Sequence, residues 1–248
     1  LFFFVNFERS ETTEPGTNKV ASTEAAPAGS ASYIVRPSET FLNGVKDYLL
    51  KTYGYDPGVY QGYDNDISNT KIFGRLDWNI ADKHKLSFKY NQVKSHDVCG
   101  LSSSTTNSGV SFSSANNRLS NNALYFSNSN YLQNSNLYSG TMEYTGNLGA
   151  NLNHTARISY VKQNEPRSSN SALFPLVDIK DGASVITTFG YEPFTYGNLR
   201  DVATVTANYD LNYIVNNHNF TGGFQFETST TKNGFQRFGT GYYVFDSW

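Results

Sequence analysis

The sequence predicts an all-β fold: an antiparallel transmembrane β-barrel segment of about eight strands, with long extracellular loops and one short helix in the first loop. Three observations predict it. Segments of roughly ten residues alternate apolar and polar side chains, the period-two pattern of strands with one greasy and one wet face. Every second connection between these segments is a tight turn, and the connections between are long. Aromatics reach 15%, with 18 Tyr and 18 Phe against only 16% charged residues, a composition that argues against a disordered chain.

The clearest hairpin lies in residues 70–93. Ile72, Leu76, Trp78 and Ile80 fall on one parity and Phe73, Arg75, Asp77 and Asn79 on the other. Asp82, Lys83, His84 and Lys85 then make a tight reversal. Leu86, Phe88 and Tyr90 resume the apolar parity against Ser87, Lys89 and Asn91. In a soluble sandwich the greasy face meets a second sheet; in a membrane barrel it meets lipid, and the wet face lines the lumen. One hairpin does not choose between these.

Taken in order, Leu1–Arg9 is an aromatic strand with Phe3, Val5 and Phe7 opposite Phe2, Phe4, Asn6 and Glu8. Residues 10–69 form a long insertion whose first part is polar, small and punctuated by Pro and Gly. Within it the spacing of Phe41, Leu42, Val45, Tyr48 and Leu49 predicts an amphipathic helix near 39–52. Ser38 is placed to cap its start and Gly54 to end it. The helix reads as a packed loop element, with a lid or partner-binding helix as the alternative. Residues 94–134 are a second long polar segment, with a short strand expected at Ala123–Phe126.

Alternation returns at 135–147, where Tyr138, Met142 and Tyr144 share a side with Gly140. A turn at 148–151 leads to 152–163, with Ala156, Ile158 and Tyr160 opposite Arg157 and Ser159. Residues 164–199, with Pro166, Pro175 and Pro193, read as loop. Strand 200–214 sets Val205, Tyr209, Leu211 and Tyr213 against Thr204, Thr206, Asn208 and Asp210. After a turn at 215–218, strand 219–230 sets Phe220, Phe224 and Phe226 against Thr221, Gln225 and Glu227. A last strand is expected at 239–248. The short turns at 81–84, 148–151 and 215–218 therefore lie at one end of the sheet and the long connections at the other. Sandwiches have little reason to sort loops by end, whereas outer-membrane barrels do so as a rule.

Composition narrows the chemistry. The net charge of −2, with no basic patch, gives no support for a nucleic-acid partner. Cys99 is the only cysteine, which leaves no disulfide framework and no cysteine-based zinc site, and it lacks a neighbouring His to make it a nucleophile. No phosphate loop, HExxH or GxSxG motif is present, so neither an enzyme nor a bound cofactor is expected. Asp64 and Asp66 offer oxygen ligands for calcium but lack companions, and read as solvated loop carboxylates. The longest apolar run, Leu1–Val5, is too short for a membrane helix, and no export signal precedes it; the expectation is a piece of a longer chain.

His84, His154 and His218 each fall at a short turn just before an alternating strand, a weak internal repeat. Their separation along the chain lacks metal-site spacing, so they read as interfacial residues beside Trp78, Tyr90, Tyr144 and Tyr213 as girdle aromatics. Arg75, Asp77, Lys89, Glu143, Arg157, Asp210 and Glu227 all sit on the polar parity. They would line a lumen, or bridge neighbouring strands as ion pairs.

Several stretches carry a family resemblance: LFFFVNFE at the start, YGYDPGVY at 53–60, NTKIFGRLDWNIADKHKLSFKYN at 69–91, HTARISYVK at 154–162, NHNFTGGFQFE at 217–227 and GYYVFDSW at 241–248. They resemble the barrel of TonB-dependent outer-membrane receptors, the Oar-like and SusC-like group of Bacteroidetes, across nearly the whole chain. The resemblance implies a larger barrel around an N-terminal plug, of which this chain would supply part of the wall. It further implies residence in the cell outer membrane, with the lipid bilayer as a partner. Active uptake of a large solute such as a glycan, peptide or chelated metal would be driven by the TonB–ExbB–ExbD complex through a plug outside this chain. A surface lipoprotein is a further implied partner. The alternatives are a complete eight-stranded barrel with a structural or adhesin role, suggested by the even strand count and terminal Trp248, and a soluble carbohydrate-binding β-sandwich.

Overall fold

The computed structural model describes residues 1–106 and 108–248. The chain opens with β1 (Phe2–Pro15), β2 (Val20–Ser22) and β3 (Ile34–Ser38), then helix α1 (Glu39–Tyr53). The hairpin β4 (Asp64–Ala81) and β5 (His84–Cys99) follows, then β6 (Tyr131–Asn147) and β7 (Leu152–Asn164). The next connection holds β8 (Arg167–Ser168), β9 (Leu176–Asp181) and β10 (Ser184–Phe189). A last long hairpin, β11 (Leu199–Val215) and β12 (His218–Gly234), precedes β13 (Tyr242–Phe245).

The fold is mostly antiparallel β. Seven long strands make one sheet in the order β1-β4-β5-β6-β7-β11-β12, each antiparallel to its neighbours, with β8 beside the start of β6. The three tight turns close it at one end. Two of them are two-residue loops with a left-handed residue: Asn216 (φ 50°) holds the first loop position, as a II′ turn matching the strand twist requires, and Lys83 (φ 57°) holds the second, beside a register shift between Asn79 and Ala81. All the long excursions leave from the opposite end.

The strands outrun their alternation. β1 continues past Arg9 to Pro15 and pairs residue by residue with β4, which begins at Asp64; the first connection is therefore 16–63 rather than 10–69. β5 likewise continues to Cys99 and β6 starts at Tyr131. Beyond the apolar stretch both faces of a strand are polar, so the ladder continues without a period-two signal. Cross-strand bonds such as Thr13 Oγ1 to Asp66 Oδ1 (2.8 Å) replace apolar pairing there.

The long excursions pack together as a cap with its own core. α1 matches the expected helix: the Ser38 hydroxyl accepts from the Phe41 N–H (3.2 Å), and Gly54 ends it at φ 64°. Leu42, Val45 and Leu49 are buried against Val35, Phe126, Val177 and Ile179. The expected strand at 123–126 is not regular, although its backbone bonds β10 through Leu124 N–H to Ile186 O and Phe126 N–H to Thr188 O.

Two further features depart from the sequence reading. The hairpin β9–β10 lies within a segment read as loop, turning at Asp181-Gly182 with Gly182 at φ 65°. The expected eighth barrel strand, 239–248, does not join the long sheet. Its β13 pairs parallel with β9, forming a three-stranded sheet in the cap. The aromatic contacts of Trp248 with Phe41 and Tyr48, and the Lys180–Asp246 ion pair (2.8 Å), hold the segment there. Gly190 marks a close approach in this region. A Cβ at that position would lie 2.1 Å from the Pro175 carbonyl oxygen, and its φ is 109°. Gly190→Ala is expected to unpack the β9–β10 edge by more than about 1 kcal/mol, read as faster limited proteolysis within 170–195.

The cap core does not extend to the sheet. Among the described residues no second layer covers either face, and the apolar side chains of the long strands stay open: Trp78 is 50% and Phe224 66% exposed. Among the described residues no helix is long and apolar enough to cross a membrane, which does not bear on strands.

Candidate functional site: a two-faced wall with a cavity at its open end

Directly opposed residues of neighbouring strands share a face, so the registers can be read as rows across the sheet. One row runs Phe3, Leu76, Phe88, Met142, Ile158, Ala207, Phe226. The next toward the turns runs Trp78, Leu86, Tyr144, Ala156, Tyr209, Phe224. The next away from them runs Val5, Gly74, Tyr90, Gly140, Tyr160, Val205, where small and large residues alternate so that rings lie beside glycines. Together they form a continuous apolar belt on one face. From Ile72 to Ile80 it follows roughly 26 Å of strand at about 3.3 Å per residue before tilt, comparable to the apolar band of outer-membrane barrels.

Toward the turns the belt ends in aromatic and imidazole rings in contact. His84 stacks on Tyr144 (5.9 Å), Tyr144 meets His154 edge-on (5.1 Å), His154 meets Tyr209 (5.7 Å), and Tyr209 stacks on Phe224 (6.0 Å). His84 Nδ1 shares a hydrogen bond with the Tyr144 hydroxyl (2.7 Å), as His154 Nδ1 does with Tyr209 (3.2 Å). Register brings His84 and His154 to either side of Gly146, whose missing Cβ leaves room for both rings. His218 lies apart beside Phe220 (6.1 Å). Trp78, Tyr90 and Tyr213 share the belt face, each half-exposed.

The opposite face is polar and largely cross-bonded. Asp77 accepts from Arg75 (2.7 Å) and Ser87 (2.6 Å) and lies 3.2 Å from the Lys85 ammonium. Arg157 Nε donates to Glu143 (2.6 Å) and Thr206 to Glu227 (3.4 Å). Lys89 and Asp210 make no ion pair among the described residues. Ion pairs between neighbouring strands thus hold three of the seven charged positions, Asp77, Glu143 and Arg157, while Arg75 pairs within β4 and Glu227 meets a hydroxyl across the strands. Asp66 accepts from Thr13, and no group of three or more His, Cys, Asp or Glu side chains converges among the described residues. Cys99 is half-buried opposite Tyr131.

At the open end the polar face runs up to a cavity of about 520 Å³. Tyr131 and Gln133 start β6 on the parity of Glu143, and Arg167 in β8 sits opposite Gln133. The walls come from Ser102 and Ser104 after β5, Glu192 and Phe194 after β10, and Phe235 and Arg237 after β12. Nothing in the local sequence marks these residues as a group, since three separate excursions, one of them carrying β8, bring them together at the start of β6. The chain matches no protein-family model, no curated protein and no solved structure.

Proposed function

We propose that this chain is part of the barrel wall and external cap of a TonB-dependent outer-membrane transporter. The observation that carries the reading is the uncovered, in-register apolar belt on one face of the sheet, backed by a polar face and with every bulky excursion at one end. A bilayer would cover the belt, the polar face would look into the lumen, and the cap would stand outside the cell. In the family it resembles, outer segments capture a solute too large to diffuse through a pore. Pulling by the inner-membrane TonB complex then shifts a plug and opens the path, without bonds being made or broken.

Strand direction favours a share of a larger wall. β1 and β12 each present an unpaired edge, and both run from the turn end to the open end. Joining them would create a parallel seam; antiparallel closure needs an odd number of further strands. The small eight-stranded barrel loses support because its eighth strand lies in the cap. A sandwich would need a second sheet across the belt.

The test is topological. In intact cells carrying the full-length protein with Cys99→Ser, Tyr33→Cys in the cap is expected to react with a membrane-impermeant maleimide. Asn217→Cys in a tight turn is expected to react only after the outer membrane is permeabilised. Equal labelling of both sites in intact cells, or recovery of the protein in the soluble fraction, would refute the reading.

A further inference from the structure

The cavity at the open end is lined by a buried carboxyl group with one oxygen unpartnered among the described residues. Glu192 is 1% exposed; its Oε2 accepts from the Phe194 N–H (2.9 Å) and the Thr195 hydroxyl (2.6 Å), while Oε1 has no partner among the described residues. Burial pushes the Glu192 carboxyl up from its ordinary value, against the lowering effect of those bonds and of Arg167 and Arg118. A buried carboxylate oxygen left without a donor is costly, and native structures rarely keep one without a use.

Two guanidiniums share the cavity. Arg167 lies 4.7 Å from the Tyr131 ring centre and spends only Nε on protein, donating to Gln133 Oε1 (3.1 Å). Arg237 lies 5.7 Å from the Phe235 ring centre and makes no hydrogen bond or ion pair among the described residues. Phe235 stacks on Phe194 (6.1 Å, 12° between planes), giving the cavity a flat apolar flank. Two positive forks against one carboxylate leave the site with an excess of positive charge. Its free donors suit the planar, two-oxygen geometry of a carboxylate.

We infer that this cavity binds a small solute carrying a carboxylate together with an N–H or O–H donor. Arg167 and Arg237 take the carboxylate, Glu192 Oε1 takes the donor, and the Phe194–Phe235 pair supports the solute's apolar flank. The volume admits a dipeptide or a disaccharide. The inference deepens the transporter reading by naming the class of cargo and rests on it for that consequence alone, since binding can be measured on the folded protein wherever it resides.

Calorimetric titration of the detergent-solubilised full-length protein tests it with two pairs of probes. One pair is the dipeptide Ser-Glu and its fully amidated form; the other is digalacturonate and its methyl ester. At least one acid form is expected to bind about tenfold or more tightly than its neutralised partner, and which pair responds identifies peptide or acidic sugar. Arg237→Gln, at an exposed position, and Arg167→Gln are each expected to weaken that binding about tenfold or more while heat-modifiable gel mobility is retained. Equal binding of acid and neutral forms, wild-type affinity in both arginine variants, or no binding of either acid form to the folded protein would overturn the inference. Cysteine labelling that refutes the membrane topology, with acid-selective binding intact, would remove transport and leave the site standing.

Discussion

Ile158→Arg is expected to destabilise the vesicle-inserted protein by about 2–4 kcal/mol, whereas Ser159→Arg, one residue along, costs less than about 1 kcal/mol. The two side chains are neighbours in β7 but project from opposite faces. Ile158 sits mid-belt between Met142 and Ala207, 47% exposed with no protein over it. On the proposed transporter reading, a guanidinium there enters hydrocarbon at the depth where its hydration is hardest to replace. Ser159 lies on the polar face, where its loss removes one shared hydrogen bond with Thr141 (3.1 Å) and leaves the new charge in a row with Lys89 and Glu227, beside the Glu143–Arg157 pair. Chemical unfolding of the protein in phospholipid vesicles measures both. If the two substitutions cost the same, or Ile158→Arg costs nothing, the belt does not face lipid. A sandwich makes a different forecast, in which Ile158→Arg prevents folding in plain buffer as well.

Much of this wall is legible in the sequence because one face is apolar and the other polar. Ile72 through Ile80 and Leu86 through Tyr90 must alternate there, and the turns at 81–84 and 215–218 stand out between them. The helix is equally legible, with Ser38, Gly54 and the Leu42-Val45-Leu49 stripe all local signals. What fails to show depends on distant partners. The polar ends of β1, β4 and β5 have water-compatible residues on both faces, so no pattern separates ladder from loop. Tyr242 to Phe245 have the aromatic look of a barrel strand. Their destination was decided by Asp178 and Lys180, more than sixty positions earlier. The β9–β10 hairpin carried a readable Asp181-Gly182 turn, masked by the prolines on either side. Glu192 reads as an ordinary loop acid, because its burial comes from packing of separate excursions.

The cap has its own point of failure. Arg118 and Asp178 are 1% and 0% exposed. Asp178 accepts from Arg118 through Nε (3.1 and 3.2 Å) and a terminal nitrogen (2.7 Å), from Thr188 (2.6 Å) and from Tyr242 (2.7 Å). The same guanidinium donates to the Ser102 carbonyl (2.8 Å) and lies 5.2 Å from the Tyr242 ring centre. One carboxylate therefore ties the second and third excursions to β13. Asp178→Ala leaves a buried positive charge facing neutral groups, and is expected to cost about 3–5 kcal/mol. Arg118→Met/Asp178→Leu should cost less than Asp178→Ala, because removing both charges leaves no uncompensated ion. The loss should be confined to the cap: hydrogen exchange is expected to accelerate at 100–120 and 240–248 while β5 to β7 stay protected. Uniform acceleration across the sheet would show that cap and wall unfold together. Alkali offers a second approach, since burial and the neighbouring Asp178 raise the Tyr242 phenol above its ordinary value of 10.0. The folded cap holds that proton longer than the unfolded chain does, so stability is retained below about pH 10 and falls as pH rises beyond it. Tyr242→Phe, lacking the titrating hydroxyl, should be less stable at neutral pH and should lose less on going to pH 11.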